Sequence, residues 1–369
     1  MAGLGDTTAA LRRYRRAIAG RAAAAAATIE AQGAAGSGRL AEIPAFGGNP
    51  GGLKMQVFDP EGLGPNPALV VVLHGCTQTA ESYQHGAGWV SLADRFGFAL
   101  LCPEQQAANN AALCFNWFEP DDTARGAGEA ASIRQMIARA SALYDVDPGR
   151  VFITGISAGG AMTSAMLANY PEIFAGGAII AGLPYGAANS MPEAFAAMTQ
   201  MVSRTGAEWG ALVRAASPHR GPWPTISVWH GAADATVNAA NAGEIVKQWR
   251  DVLGVGANAP YETDTVSGHR REIWRNTRGD AVISSYTITG MGHGHPLGLS
   301  GADACGVVGP FMLDVGLSAS FEIAKAWGLT AKGAPAQAAR PAPSPPAAHA
   351  EFGIKGVIKK ALRAAGLLK

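Results

Sequence analysis

A chain of 369 residues, 48% hydrophobic and 15% charged, is long enough to bury a large core. Its net charge of +1 leaves no basic surplus of the kind a nucleic-acid surface needs. No apolar run reaches transmembrane length, so composition points to one large globular domain with tails.

Residues 1–45 form an alanine-rich N-terminal segment. Met1–Gly38 carries Arg12, Arg13, Arg15, Arg16 and Arg21, and Ala22–Ala27 follows. A basic start before an apolar stretch has the outline of a secretory signal. Arg21 interrupts it, however, and alanine is a weak residue for the apolar region, so an exposed alanine-rich helix is the favoured expectation. The turn cluster Gly47–Gly52 marks the approach to the main domain, taken as residues 46–330.

Lys54–Phe58 alternates and reads as an edge strand. Leu69–Leu73 (LVVVL) and Phe98–Cys102 are continuous apolar runs, as expected of strands buried on both faces. Gly128–Val146 places Ile133, Met136, Ile137, Ala140, Leu143 and Tyr144 on one helical face, and Asp147-Pro148 ends it. Ala178–Ala181 and Thr225–Trp229 read as further short strands, Asn238–Leu253 as a helix. Tyr261–Val266 and Arg271–Arg275 flank Ser267-Gly268-His269 as a hairpin, and Val282–Thr289 reads as the last strand. Buried strands alternating with amphipathic helices predict an α/β fold with a doubly wound, mostly parallel sheet.

The chemistry centres on Arg150–Ala161, RVFITGISAGGA. A buried strand, the pentapeptide Gly155-Ile156-Ser157-Ala158-Gly159 and a helical pattern from Ala161 to Tyr170 make a nucleophile elbow. The glycines stand where strand and helix approach too closely for a Cβ. With 48 glycines in the chain the pentapeptide could arise by chance, and the flanking strand and helix are what raise it above that.

A serine hydroxyl needs a histidine to take its proton, and that histidine needs an acid to fix its tautomer. In this architecture the order is serine, acid, histidine, each just after a strand. Asp234 lies in the loop after Thr225–Trp229 and is the candidate acid; capping the next helix is its ordinary alternative. Two histidines follow the last strand, in Gly290-Met291-Gly292-His293-Gly294-His295-Pro296. The preceding glycines favour His293 as the base, and His295 becomes a candidate pocket wall. A metal held by both would need a third ligand, and none has the spacing, so no metal and no cofactor are expected. The oxyanion donors are read as the N–H groups of Ala158, after the nucleophile, and of Cys76, in His74-Gly75-Cys76-Thr77-Gln78. His74 and His230 end strands beside the site and can support its loops. Trp89, Trp117 and Phe118 lie near the motif loops and are candidate substrate contacts, with core packing the even alternative. Four cysteines, Cys76, Cys102, Cys114 and Cys305, allow three full pairings or none.

Five segments in order, His74–Gln78, Cys114–Phe118, Gly155–Gly160, His230–Asp234 and Gly290–His293, resemble the polyhydroxybutyrate-depolymerase family of esterases, which includes feruloyl and acetylxylan esterases. The resemblance runs from about Phe46 to about Trp327. It implies an α/β-hydrolase fold, a secreted or surface serine esterase without a metal, and the triad Ser157, Asp234 and His293. It also implies a disulfide between Cys76 and Cys114 and hence an extracellular location, with the cytoplasm as the alternative. Where the family has an aromatic residue after the histidine, this chain has His295.

Two functions from different classes follow. One is a serine esterase acting on poly(3-hydroxybutyrate)-like polyesters or short hydroxyalkanoate esters, with feruloyl or acetylxylan side chains as the alternative substrates. The other is a non-catalytic protein that coats a polymer or granule. Residues 331–350 read as an Ala/Pro linker. Residues 351–369 place Ile354, Val357, Ile358, Ala361, Leu362, Ala365 and Leu368 on one helical face, with Lys355, Lys359, Lys360, Arg363 and Lys369 supplying charge. Such a basic amphipathic helix suits a polymer or anionic membrane surface, or folds back onto the domain.

Overall fold

A computed structural model of the chain describes residues 38–331. The expectations for residues 1–37, for nearly all of the linker and for the C-terminal helix lie outside the described residues. The run Leu69–Leu73 is strand β3, buried at every position. Its side chains alternate between two cores: Leu69, Val71 and Leu73 enter one, Val70 and Val72 the other. A strand with both faces covered favours apolar residues at successive positions, which is why the run reads as unbroken hydrophobicity.

The inner strands of a ten-stranded sheet are buried in the same way. Its other strands are β1 (Ala41–Glu42), β2 (Lys54–Phe58), β4 (Ala99–Glu104), β5 (Val151–Ile156), β6 (Gly176–Ile180), β7 (Thr225–Gly231), β8 (Glu262–Val266), β9 (His269–Arg275) and β10 (Ala281–Ile288). The order is β1-β2-β4-β3-β5-β6-β7-β10-β9-β8. Strands from β4 to β10 run parallel, and the antiparallel β1–β2 and β9–β8 pairs close the two ends.

Helices cover both faces. Helices α4 (Gly128–Tyr144), α5 (Ala158–Asn169) and α8 (Asn241–Val252) bury Ile133, Met166 and Trp249 in the first core. Helices α1 (Ala80–Ala87), α2 (Trp89–Phe96) and α9 (Ala319–Ala326) bury Tyr83, Trp89 and Phe321 in the second. A short α3 (Pro120–Thr123) precedes α4, and α6 (Met191–Gln200) and α7 (Gly206–Ala216) lie between β6 and β7 in the chain. This is the doubly wound, mostly parallel α/β arrangement that the strand and helix alternation predicts, and it agrees with the α/β-hydrolase fold that the family resemblance implies.

Beyond shifts of up to three residues at element ends, the structure departs from the sequence reading in three places. The hairpin turn is only Ser267-Gly268, with φ of 49° and 83°, so His269 already belongs to β9. Positive φ at both central residues is what a tight two-residue hairpin requires. The chain also makes strands after β10: β11 (His295–Leu297) pairs in parallel with β12 (Met312–Asp314). Three residues with a central proline carry too little pattern to read. Finally, the sheet includes residues before the Gly47–Gly52 turn, since Ala41 and Glu42 pair with Val57 and Gln56.

Candidate active site

Open parallel sheets bind ligands past the carboxyl ends of their strands. The His74–Gln78 loop, Ser157, Asp234 and His293 follow β3, β5, β7 and β10 in turn. Ser157 sits between β5 and α5 at φ 57°, ψ −118°, and its N–H donates to the Ile180 carbonyl at 2.9 Å. A Cβ on Gly155 would stand 2.4 Å from the Gly159 carbonyl oxygen. One on Gly159 would stand 2.3 Å from the Leu73 oxygen, so strand, turn and helix fit only with both glycines.

Ser157 Oγ lies 2.9 Å from His293 Nε2, and His293 Nδ1 lies 2.7 Å from Asp234 Oδ2. A carboxylate only accepts, so Nδ1 carries the proton and Nε2 is free to accept from the serine hydroxyl. Asp234 Oδ1 accepts from the N–H groups of Thr236 and Val237, at 2.8 and 2.9 Å. Its Oδ2 also faces His230 Nε2 at 3.2 Å. That nitrogen lies 3.0 Å from the Val237 carbonyl and must therefore be a donor. Burial alone would raise the Asp234 carboxyl, but the hydrogen bonds from His230, His293 and Val237 outweigh it and hold the group well below the usual range. The acid and base loops are also tied by backbone, with Ala233 N–H donating to the Met291 carbonyl at 2.9 Å.

In the His74–Gln78 loop, Gly75 N–H donates to Gln78 Oε1 at 2.8 Å and Thr77 N–H to the Ala112 carbonyl at 2.7 Å. Among the described residues no hydrogen bond uses the Cys76 N–H. The Ala158 N–H opens a helix and has no intrahelical acceptor there. Cys76 and Cys114 are joined by a disulfide, while Cys102 and Cys305 are free and buried.

Ser157, His293 and Cys76 line one cavity of about 240 Å³. Its remaining wall is not the one the sequence suggests. Trp89 is fully buried and stacks on Trp327, with ring centroids 6.2 Å apart, in the core between α2 and α9. Phe118 is buried edge-on against Trp117, and neither lines the cavity. His295 is fully buried two residues beyond His293, between Tyr83 OH (3.2 Å) and Ser320 Oγ (3.0 Å). Burial pushes its imidazole down to about 3, so it stays neutral. The wall is formed by Phe195, Met198 and Thr199 of α6, by Thr236 beside the acid, and by Phe311. Phe311 meets the His293 ring edge-on at 5.9 Å and holds φ 63°. The α6 residues sit at helical spacing i, i+3, i+4 after Ser190 and Pro192, so the face was readable. Nothing in the sequence says that this face turns to the serine.

His74 and His230 take the supporting positions expected of them. His74 Nδ1 meets the Gly75 carbonyl at 2.8 Å, and its Nε2 accepts from Gln105 N–H at 3.1 Å.

The sequence matches the esterase PHB depolymerase family over residues 57–266. It is 45% identical over 292 residues to a poly(3-hydroxyalkanoate) depolymerase C of Paucimonas lemoignei, covering 79% of this chain and 70% of that protein. It is 29% identical over 270 residues to a feruloyl esterase B of Talaromyces funiculosus, covering 71% and 74%. Among solved structures, an acetyl xylan esterase from Aspergillus awamori superposes with a TM-score of 0.64 at 28% identity, over 69% of this chain and 94% of that one.

Proposed function

Because the chain belongs to the esterase PHB depolymerase family and is a carboxylic ester hydrolase of the α/β-hydrolase fold, we propose that it cleaves poly(3-hydroxybutyrate)-like polyesters or short hydroxyalkanoate esters through an acyl-enzyme on Ser157. The observation that carries this reading is the hydrogen-bonded row Ser157–His293–Asp234 opening onto a cavity walled by Phe195, Met198 and Phe311. Ser157 Oγ attacks the ester carbonyl while His293 Nε2 takes its proton, and Asp234 stabilises the imidazolium. The N–H groups of Cys76 and Ala158 receive the oxyanion. Collapse expels the alcohol with the proton from His293. Water then attacks the acyl group by the same route in reverse and frees Ser157. The complete row speaks against a purely polymer-coating role. The disulfide favours an oxidising, extracellular compartment.

The test is product analysis on polyhydroxybutyrate film beside methyl ferulate and acetylated xylan, with Ser157→Ala in parallel. Release of hydroxybutyrate units, and a fall of at least about three orders of magnitude in kcat for the variant, are expected. Preferential turnover of ferulate or acetylxylan would reassign the substrate, and an active Ser157→Ala would end the mechanism. In the same assay, a chain lacking residues 335–369 should hydrolyse a soluble ester unchanged but adsorb less to film if the basic C-terminal segment is a surface anchor; equal adsorption removes the anchor.

A further inference from the structure

Glu129, in the first turn of α4, is fully buried and takes no part in the row just described. Its Oε1 accepts from Gln105 Nε2 at 2.5 Å and its Oε2 from Asn116 N–H at 2.9 Å. The same Gln105 amide donates to the Cys114 carbonyl at 3.0 Å. One carboxyl therefore grips the segment Cys114–Asn116 from both ends, and Cys114 is covalently tied to Cys76. Gln105 also reaches the oxyanion loop from behind, since its N–H donates to His74 and His74 binds the Gly75 carbonyl. A buried carboxyl is costly to keep, and packing alone would have favoured an apolar side chain at this place.

We propose that Glu129 is a positioning residue for ester hydrolysis: through Asn116, Gln105 and the Cys114–Cys76 disulfide it holds the Cys76 N–H where the oxyanion forms. The inference rests on the serine-esterase reading above. An oxyanion donor acts only at about 2.7–3.1 Å from the charge that develops, so a small displacement of Cys76 weakens the transition state more than the bound ester. Glu129 contributes most when ionised, because both of its partners are donors. Burial and repulsion from the neighbouring Asp122 of α3 raise its carboxyl to about 8, against the donors from Asn116 and Gln105, which pull it down. Across Gln105, the other titratable group of the network is His74, which burial keeps neutral.

The experiment is Glu129→Gln assayed on p-nitrophenyl butyrate, with Ser157→Ala as control. The amide keeps the volume but sets an NH2 against one of the two donors. A fall of about tenfold in kcat with KM nearly unchanged is expected, part of the 10²–10³ that a whole donor supplies. The deficit relative to wild type should widen from pH 7 to pH 9, since only the wild-type group can ionise. It should shrink when Cys114→Ser removes the link to Cys76. An unchanged kcat, a rise in KM alone, a deficit flat across pH, or the same deficit without the disulfide overturns the proposal while leaving the serine mechanism standing. An active Ser157→Ala overturns both. A variant that only lowers Tm, with kcat per folded molecule intact, counts against it.

Discussion

Ser157 is held in a backbone region that costs a non-glycine residue on the order of 1–3 kcal/mol, and the surrounding strand and helix impose it. The two histidines beyond β10 divide their labour by burial rather than by spacing. His293 keeps a sliver of exposure and touches the serine; His295 is sealed between Tyr83 and Ser320. His293→Ala should therefore cost at least about three orders of magnitude in kcat at little cost to Tm. His295→Ala should do the reverse. It strands two buried hydroxyls, each worth roughly 1–3 kcal/mol, and opens a cavity, so Tm falls by several degrees while the folded fraction still hydrolyses ester. The opposite ranking, in folded variants, would move the base to His295. The role of His293 was legible because a glycine-flanked histidine after a strand has a local signature. The role of His295 was not, because Tyr83 lies 212 residues before it and Ser320 lies 25 residues after it.

Among elements, the two that frame the reacting centre differ in how much of them a sequence can display. The elbow is local, and its glycines announce the close approach of β5 and α5. The loop after β3 is set by remote partners, namely Ala112, Gln105 and the disulfide to Cys114. Helix α6 and Phe311 complete the cavity from segments with no motif at all, which is why the sequence offers Trp89, Trp117 and Phe118 as wall residues instead. Large aromatic side chains fill cores as readily as pockets. The disulfide bridges a sequence separation of 38 residues. Chain entropy gives such a crosslink on the order of 3–4 kcal/mol. Cys114→Ser should thus lower the free energy of unfolding by that amount, read from denaturant curves, and also reduce kcat, because the Cys76 loop loses its anchor. Reductant added to the wild type should reproduce both effects. Equal stability with intact kcat would make the bridge ornamental to both fold and site.

At the scale of the whole molecule, the α/β class was legible because the central strands are buried on both faces and so are built mostly of apolar residues. The late strands β11 and β12 were not, being only three residues each. The same thick double-sided core has a consequence for stability against acid. His74 and His295 are buried within it and kept neutral, His295 down to about 3. An unfolded histidine takes up a proton below about 6.5. Below that, unfolding binds protons that the fold refuses, down towards about pH 3 for His295, so stability falls as pH drops, by at most about 1.4 kcal/mol per pH unit for each histidine so held. Glu129 works the other way. Its raised carboxyl contributes stability that is present below the ordinary glutamate range and is lost as pH rises through about 8. Between pH 4.5 and 6.5 His295 alone offsets the glutamate and the lowered His74 adds to that offset, and above 6.5 the glutamate acts alone, so these three groups place the optimum near pH 6.5. Asp234 adds a further loss only below the ordinary aspartate range, because its own carboxyl is held lower still. Urea midpoints measured from pH 4 to pH 9 should trace this rise and gentle decline. In His295→Phe the acid limb should be shallower by about one proton's worth of slope, whatever the variant's absolute stability. A limb of unchanged slope would mean that His295 can take up its proton inside the fold, and that Tyr83 and Ser320 do not enclose it as tightly as the geometry requires.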